Sequence, residues 1–351
     1  MADGIPVPGS VWIYAPTNVA PIPFAVVFGV SAVYHLYQCI HYKTFRVTAY
    51  LPFCCVLFCA GFALREYGAF HYEHLNVYLA STLLIYMSPP ILELANYHIL
   101  GRTLYYVPYF SPIHPGRVLT TLGSLSAMVE ILNALGVAYL TTSPTPDSKF
   151  YSLGHNLLRA SLALQLAVIG LFYGLATLFH RRCRRAGVAH PRVRAVLRTL
   201  YVSMLLILAR TIYRAVEHFA PPPPPVVQQP AATTSSGKKP DLMAIISPLL
   251  RYEWFFWVFE AVPMLVNAAM WNARHPGRSL PPSYKVYLAQ DGQTELRGPG
   301  WGDKRSLVMT LVDPFGFVAM LEKGRKGEPF WEQNGFHHLL GGKGREEGQV
   351  V

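Results

Sequence analysis

Long apolar runs separated by short polar segments dominate this 351-residue chain up to about His275. A helix needs about 20 mostly apolar residues to cross the hydrocarbon core of a bilayer. Seven runs meet that requirement, and segments such as Ser143–Asp147 and Pro221–Pro225 interrupt the pattern between them. The chain is therefore predicted to be an all-α, polytopic membrane protein with a bundle of seven transmembrane helices. The predicted spans are Ile22–Ile40, Val47–Leu64, Val77–His98, Leu119–Leu140, Leu157–Phe179, Leu200–Phe219 and Trp254–Trp271.

The composition supports this class. Hydrophobic residues make up 52% of the chain and charged residues only 14%, whereas about a quarter of the residues in soluble domains are charged. These values exclude an ordinary soluble enzyme, a disordered chain, a coiled coil and a secreted disulfide scaffold.

The basic residues indicate an orientation, because short cytosolic loops of membrane proteins are enriched in lysine and arginine. Thirteen fall on the side reached after spans one, three, five and seven, and six fall on the opposite side. The thirteen are Lys43, Arg46, Arg102, Arg117, Arg181, Arg182, Arg184, Arg185, Arg192, Arg194, Arg198, Arg274 and Arg278; the six are Arg65, Lys149, Arg159, Lys238, Lys239 and Arg251. We therefore expect the N-terminus outside and the C-terminus in the cytosol.

Three regions follow from these assignments. Residues 1–21 are predicted to form a short extracellular segment, 22–275 the transmembrane domain and 276–351 a largely disordered cytosolic tail. Within the domain, the proline-rich stretch 220–247 is expected to be a flexible outer loop. The apolar tail stretch Leu307–Leu321 is too short and broken for an eighth span, which leaves an interfacial segment beside anionic lipid or a disordered patch.

Ionisable side chains at membrane depth are the strongest functional signal, because they are costly there and usually face a bundle interior or a wet cavity. Two groups of these side chains are spaced so that the members of each share one helical face. The first is Arg210, Arg214 and Glu217 in span six. The second is Glu253, at the mouth of span seven, and Glu260, within that span. We expect these side chains to form a polar intramembrane cavity that binds a ligand; the alternative is ion pairs that only stabilise the bundle. The candidate residues are Arg210, Arg214, Glu217, Glu253, Glu260, Glu93 and Glu130.

The chemistry of these groups favours an amphipathic ligand. Glu253 and Glu260 suit a cationic amine, and the arginines suit a phosphate or hydroxyl groups. The adjacent prolines Pro89 and Pro90 are expected to kink span three, either to shape the cavity, to act as a hinge, or as static packing.

Motifs for other functions are missing. The chain has no Walker loop, dinucleotide-binding glycine pattern or nucleophile elbow, so neither an enzyme nor a cofactor is predicted. The basic stretch Arg181–Arg198 is explained by topology and anionic lipid, and no nucleic acid is expected to bind. A metal-dependent lipid hydrolase stays open as a third alternative, although the histidine spacing lacks the sharpness of a zinc motif and no metal site is predicted. The histidines concerned are His71, His74, His155 and His218.

Three sequence blocks resemble a known family. Arg210-Thr-Ile-Tyr-Arg-Ala-Val-Glu217 resembles the R-x-x-Y-R-x-x-E signature of the fungal lipid-translocating exporters, seven-helix proteins that include sphingoid long-chain base exporters. Ser88–Arg102 resembles their A-P…A…Y…L-G-R block, and Tyr252–Met264 with His275-Pro-Gly277 resembles their ending. The resemblance extends over about residues 20–278.

Two departures concern polar positions. Glu260 stands where the family usually has aspartate, which keeps the charge on a longer side chain. In span four, Gly123-Ser124…Glu130…Gly136 stands in place of G-D…Q…G-G-G. An aspartate is thus absent and a glutamine is replaced by glutamate, which puts the usual substrate or partner in question.

The resemblance implies a protein that binds and translocates or exports amphipathic lipids of the sphingoid-base type and confers tolerance to lipid or drug stress. Its expected partners are membrane lipids and an amphipathic lipid ligand, its expected location is the plasma membrane, and no oligomeric state is predicted. Since no ATP-binding motif is present, uphill movement would require a gradient or a partner. The alternative is a seven-helix receptor or stress sensor of the same topology.

Overall fold

The computed structural model describes residues 17–71, 74–142, 149–188, 190–219, 252–289 and 291–298. Within these residues, seven helical segments are long and apolar enough to cross a membrane, which confirms the all-α seven-span prediction. They are α1 (Pro21–His41), α2 (Tyr50–Phe70), α3 (Leu75–Tyr106), α4 (Pro115–Thr142), α5 (Lys149–Arg185), α6 (Pro191–Phe219) and α7, which consists of Trp254–Phe256, the π-helical Trp257–Ala261 and Val262–Ala273.

Several helices extend well beyond their predicted ends. α5 has 37 residues and is therefore about 55 Å long, compared with about 30 Å for a hydrocarbon core. Its C-terminal turns are rich in arginine, a strong helix former, so the helix continues where hydropathy no longer indicates it. The predicted span Val47–Leu64 is divided, because a short helix at Phe45–Thr48 precedes α2.

The bundle is organised around α3, which packs against α2, α4 and α6. α4 and α5 form a close pair through two facing glycines. A Cβ at Gly154 would lie 2.9 Å from the carbonyl oxygen of Gly136, so only glycine permits this approach. On the other side, the rings of Phe28, Phe58 and Phe62 stack and join α1 to α2.

The two ends of the bundle differ in charge. We call the end at which α1, α3 and α5 finish, and at which the chain leaves α7, the basic end. The arginines of 181–198 lie here, in the last turn of α5 and the first turns of α6. The N-terminus of α1 and the start of α7 lie at the opposite end. Which end faces the cytosol stays a prediction.

The segment after α7 is folded against the basic end. A 3₁₀ turn at Pro276–Arg278 leads to an antiparallel hairpin of β1 (Val286–Leu288) and β2 (Glu295–Arg297). Arg102 of α3 holds this segment by donating to the carbonyl oxygens of Pro281, at 2.6 Å, and Ser283. This hairpin lies within residues 276–351, which were predicted from the sequence to form a largely disordered tail, and no signal for a hairpin was recognised there.

The hairpin turn carries an acidic residue that stabilises it. Asp291 accepts hydrogen bonds from the backbone amides of Gln293 and Thr294, at 2.9 and 3.0 Å, and from the Thr294 hydroxyl. Burial raises the pKa of Asp291, but these hydrogen bonds outweigh that effect and leave the pKa below its ordinary value. The rest of the tail, including Leu307–Leu321, lies outside the described residues, as do the proline-rich loop 220–247 and residues 1–16.

Candidate functional site

The polar face of α6 forms two consecutive ion pairs. Arg210 is only 6% exposed, and its Nε donates to Glu260 Oε1 of α7 at 2.6 Å. One turn further on, Arg214 Nη1 donates to Glu217 Oε2 at 2.6 Å. Arg214 also donates to the Tyr86 hydroxyl of α3 at 3.1 Å, with its guanidinium 4.3 Å from the centre of that ring. The structure thus brings the three candidates of span six, which are Arg210, Arg214 and Glu217, together with Glu260, one of the two candidates of span seven.

The π-helical stretch of α7 contains Glu260. Such stretches often occur at functional sites, because the wider turn changes the direction of the side chains that follow. Glu260 is 1% exposed, and its second oxygen, Oε2, has no hydrogen-bond partner among the described residues. A buried carboxylate oxygen of this kind is a free acceptor beside the arginine pair.

Glu253 belongs to a separate ion pair at the start of α7. Arg65 Nη2 of α2 donates to Glu253 Oε1 at 2.7 Å, and the Thr17 amide donates to Oε2 at 2.7 Å. The Arg65 guanidinium also lies 4.3 Å from the centre of the Phe256 ring. The structure therefore places Glu253 in a contact that joins α2, α7 and the segment before α1, and not beside Glu260.

Arg65 was missed as an intramembrane charge, since sequence analysis ended span two at Leu64 and assigned Arg65 to the outer side. The helix continues to Phe70, and Arg65 is 5% exposed. The available signal was the apolar and small residues that follow in Tyr67-Gly-Ala-Phe70, which are compatible with another helical turn.

The two remaining candidates lie on α3 and α4 and have polar partners without positive charge. Glu93 is 2% exposed and accepts hydrogen bonds from Gln165 Nε2 at 2.9 Å and the Tyr97 hydroxyl at 3.1 Å. Glu130 of α4 is partly exposed and hydrogen-bonds with Asn133, one turn further along. Neither carboxylate forms an ion pair with any residue that the structure describes.

These elements enclose a small polar cavity of about 50 Å³ between α3, α4, α5 and α6. It lies between mid-depth and the end opposite the basic end. Its lining contains one carboxylate, that of Glu130, and two guanidinium groups, those of Arg210 and Arg214. Three further carboxylates are hydrogen-bonded to lining residues, so these groups together contain four carboxylates and two guanidinium groups; the three are Glu93, Glu217 and Glu260. Its lining residues are Tyr86, Pro90, Val129, Glu130, Asn133, Ser161, Leu162, Gln165, Arg210, Arg214 and His218.

Pro90 contributes to this cavity directly. α3 continues as one helix from Leu75 to Tyr106 through both prolines. A proline removes a backbone donor and frees a carbonyl one turn earlier, so the helix has fewer internal hydrogen bonds beside the cavity.

A second group of buried polar side chains joins α1 to α7, and sequence analysis did not identify it. Gln38 donates to the Asn272 carbonyl at 2.8 Å, and His35 lies 3.3 Å from the Ala268 carbonyl. Four atoms of this group have no partner among the described residues: His35 Nδ1, Gln38 Oε1, Asn272 Oδ1 and His275 Nε2. These polar atoms stand apart from the ion pairs of α6.

The histidines considered for a metal site have other contacts. His218 Nε2 lies 3.1 Å from Arg214 Nη2, and the His71 and His74 rings stack at 5.7 Å. Among the residues described, no group of three or more His, Cys, Asp or Glu side chains could hold a metal ion.

Comparison with known proteins identifies the family. The model of the family described as "RTA1 like protein" matches residues 51–227, which include α2 from its second residue, α3 to α6 and every residue that lines the cavity. The chain belongs to the RTA1-like family. This agrees with the resemblance carried by the three sequence blocks.

Three relatives are fungal proteins. "Lipid-translocating exporter-like protein RTA1" of Leptosphaeria maculans is 42% identical over 323 residues, covering 89% of this chain and 60% of the relative. A protein of the same name from Ajellomyces capsulatus is 27% identical, covering 72% and 75%. "Protein RTA1" of Saccharomyces cerevisiae is 26% identical, covering 75% and 84%. The match thus spans only 60% of the Leptosphaeria protein. No solved structure matches this chain.

Proposed function

We propose that this membrane protein binds and translocates or exports amphipathic lipids with a cationic head group, such as sphingoid long-chain bases. The head-group amine enters the cavity and pairs with Glu130, while the arginine pairs contact its hydroxyl groups. The names of the fungal relatives support lipid movement in general. The cationic head group is inferred from the charges around the cavity.

The observation that carries this proposal is a carboxylate in the cavity that forms no ion pair with a described residue. Glu130 has Asn133 but no ion pair with a described residue, whereas Glu217 and Glu260 already have arginines. Ionised carboxylates at membrane depth are costly unless they are paired or hydrated. An ammonium group supplies the missing charge, and an anionic head group would add to the excess of acidic groups.

The size of the cavity implies a conformational change during transport. A volume of about 50 Å³ holds a few water-sized groups, whereas sites for drug-sized ligands measure about 300–1,000 Å³. We infer that the α4–α5 pair moves away from α3 and α6 to admit a whole head group. Pro90, at the cavity wall, is the natural place for α3 to bend.

The direction of movement follows from the proposed topology. If the basic end faces the cytosol, the cavity lies closer to the outer leaflet, which suits release of lipid from the outer side of the plasma membrane. Tolerance to long-chain bases is the cellular consequence that we propose.

A growth assay in cells tests this function. Cells producing wild type, Glu130→Gln or Arg192→Gln, each verified at the membrane, are challenged with a sphingoid long-chain base. Arg192 is the control because its side chain is 56% exposed at the basic end. Glu130→Gln gives position 130 the glutamine that is usual in the family, so this variant tests whether the carboxylate of this chain is what binds a cationic head group. We expect Glu130→Gln to abolish tolerance to the long-chain base and Arg192→Gln to retain it. Equal tolerance in both variants would contradict the proposed role of Glu130.

Truncation after Gly298 separates transport from signalling, because it keeps the folded hairpin and removes the rest of the tail. A transporter retains tolerance and lipid efflux after this truncation. A receptor that signals through its tail loses tolerance.

A further inference from the structure

A second site lies at the basic end, separate from the cavity. Residues Lys43–Val47, between α1 and α2, and Pro282–Lys285, before β1, form the two walls of a groove of about 520 Å³, which we call the basic groove. This volume is within the range of small-molecule sites. The complete lining is Lys43, Thr44, Phe45, Arg46, Val47, Pro282, Ser283, Tyr284 and Lys285.

The charges of the basic groove have one sign. Lys43, Arg46 and Lys285 are exposed cations, and none forms an ion pair with a described residue. The lining contains no carboxylate, whereas Thr44, Ser283 and Tyr284 supply polar groups. Cations around a concave surface raise the local concentration of anions and bind phosphate through charge-assisted hydrogen bonds.

A buried cation behind the groove has no anionic partner among the residues that the structure describes. Arg102 is 2% exposed and uses Nε and Nη2 for backbone carbonyl oxygens of the groove wall, including that of Ser283. Its Nη1 makes no hydrogen bond within the described part of the chain. Arg102 lines a small cavity of about 10 Å³ that shares Thr44, Val47 and Pro282 with the groove. The carbonyl oxygens and the Tyr284 ring, 4.7 Å from the guanidinium carbon, stabilise this charge without an anion. An anion in the groove would therefore add the opposite charge that the described residues do not supply.

The two walls are held in place by contacts that do not depend on a ligand. Arg102 fixes the 281–283 wall to α3. Close packing of the Pro276–Arg278 turn against the end of α1 adds a second constraint, since a Cβ at Gly277 would lie 2.5 Å from the Tyr42 Cβ. A site formed in advance loses little entropy when its ligand binds.

We propose that the basic groove binds the phosphate group of a phosphate monoester, supplied either by an anionic membrane lipid or by a soluble phosphate ester. Lys43, Arg46 and Lys285 contact the phosphate oxygens, and Arg102 contributes from behind the wall. Phe45, 53% exposed at the same edge, offers an apolar contact to a lipid chain.

The test uses the full chain in nanodiscs and a pair of matched variants. The groove variant carries Lys43→Gln, Arg46→Gln and Lys285→Gln. The control variant loses the same number of charges from the exposed end of α5, through Arg181→Gln, Arg184→Gln and Arg185→Gln. Binding of phosphatidic acid is measured in phosphatidylcholine nanodiscs, and sn-glycerol 3-phosphate serves as the soluble probe with the same phosphate chemistry.

We expect wild type to bind phosphatidic acid saturably and the groove variant to bind it about 100-fold more weakly. The control should stay within about threefold of wild type, because none of its three arginines lines the groove and exposed charges are screened by salt. If glycerol 3-phosphate binds without lipid and also competes with phosphatidic acid, the site is assigned to a soluble ester. If glycerol 3-phosphate does not bind, the site is assigned to a lipid. An equal loss in both variants, or no saturable binding of either probe by wild type, overturns the proposal.

The variants are first compared in pure phosphatidylcholine, where unchanged melting temperatures show that folding is intact. If the triple variant does not fold, Arg46→Gln and Lys285→Gln are tested singly, with an expected weakening of about tenfold each. Wild-type affinity in both single variants overturns the proposal as well.

Discussion

The buried pair of Arg210 and Glu260 offers a quantitative test of the site geometry. Both side chains are almost fully buried, and Arg210 Nε lies 2.6 Å from Glu260 Oε1. Solvent therefore does not screen the charge that remains when one partner is removed. Glu260→Ala should lower the free energy of unfolding by about 3–5 kcal/mol, the usual cost of leaving a buried charge unpaired. Arg192→Ala removes an exposed partner of Glu295 at 3.2 Å and should cost about 1 kcal/mol or less.

A double variant separates the charge from the packing. Arg210→Met combined with Glu260→Ala removes both charges and should recover much of the loss, because no unpaired ion remains buried. Glu260→Asp keeps the charge on a shorter side chain and should fall between wild type and Glu260→Ala. Unfolding of the full chain in detergent micelles, followed by circular dichroism, gives the free energies of unfolding of wild type and of the four variants. If Glu260→Ala costs no more than Arg192→Ala, the pair is not buried as described.

Three further predictions concern other parts of the molecule. Gly154→Ala should destabilise the bundle by about 1–3 kcal/mol, because the added Cβ would meet the facing backbone of α4. Gly170 has open space around it, so Gly170→Ala is the control and should be neutral or slightly stabilising in the same unfolding assay. Glu253→Ala should remove the acceptor of the Thr17 amide and the carboxylate that pairs with Arg65. Because the Val19 amide keeps its acceptor, Glu66, faster amide exchange is expected at Thr17; unchanged exchange there would refute this. The pKa of Asp291 is lowered in the fold, so its stabilisation of the hairpin should be complete above about pH 4 and be lost as the pH falls below that value. Amide exchange across β1 and β2 measures this stabilisation. Constant protection down to about pH 2 would contradict the prediction.

The helical architecture was predictable from sequence because it depends on local composition. A span must be long and apolar whatever its neighbours are, and all seven predicted spans correspond to helices. Their ends were less predictable: arginine-rich turns such as those of α5 stay helical outside the apolar region. The hairpin after α7 depends on contacts with α3, more than 170 residues earlier in the chain, which no local pattern contains.

Six of the seven candidate charges lie in or next to the cavity and Glu253 does not, and the pairing of these charges was not predictable from the sequence. The spacing of Arg210, Arg214 and Glu217 placed them on one face of α6, and the structure agrees. Glu253 and Glu260 are seven residues apart, yet they contact different helices, α2 and α6. Helical spacing gives the relative direction of side chains on one helix; it does not give the rotation of that helix against its neighbours. The π-helical stretch between these two glutamates also breaks the regular period on which the expectation depended.

We propose that the cavity around Glu130 carries a cationic lipid head group across the bilayer, and transbilayer movement of such a lipid tests this proposal most directly. Purified wild type, Glu130→Gln and Arg192→Gln are reconstituted in liposomes with a fluorescent sphingoid base, and its appearance in the opposite leaflet is followed by quenching. We expect the lipid to move faster with wild type and Arg192→Gln than in protein-free liposomes. With Glu130→Gln it should move at least about tenfold more slowly than with wild type, because one charge-assisted contact is lost. A wild-type rate equal to that of protein-free liposomes, or an unchanged rate with Glu130→Gln, would contradict it.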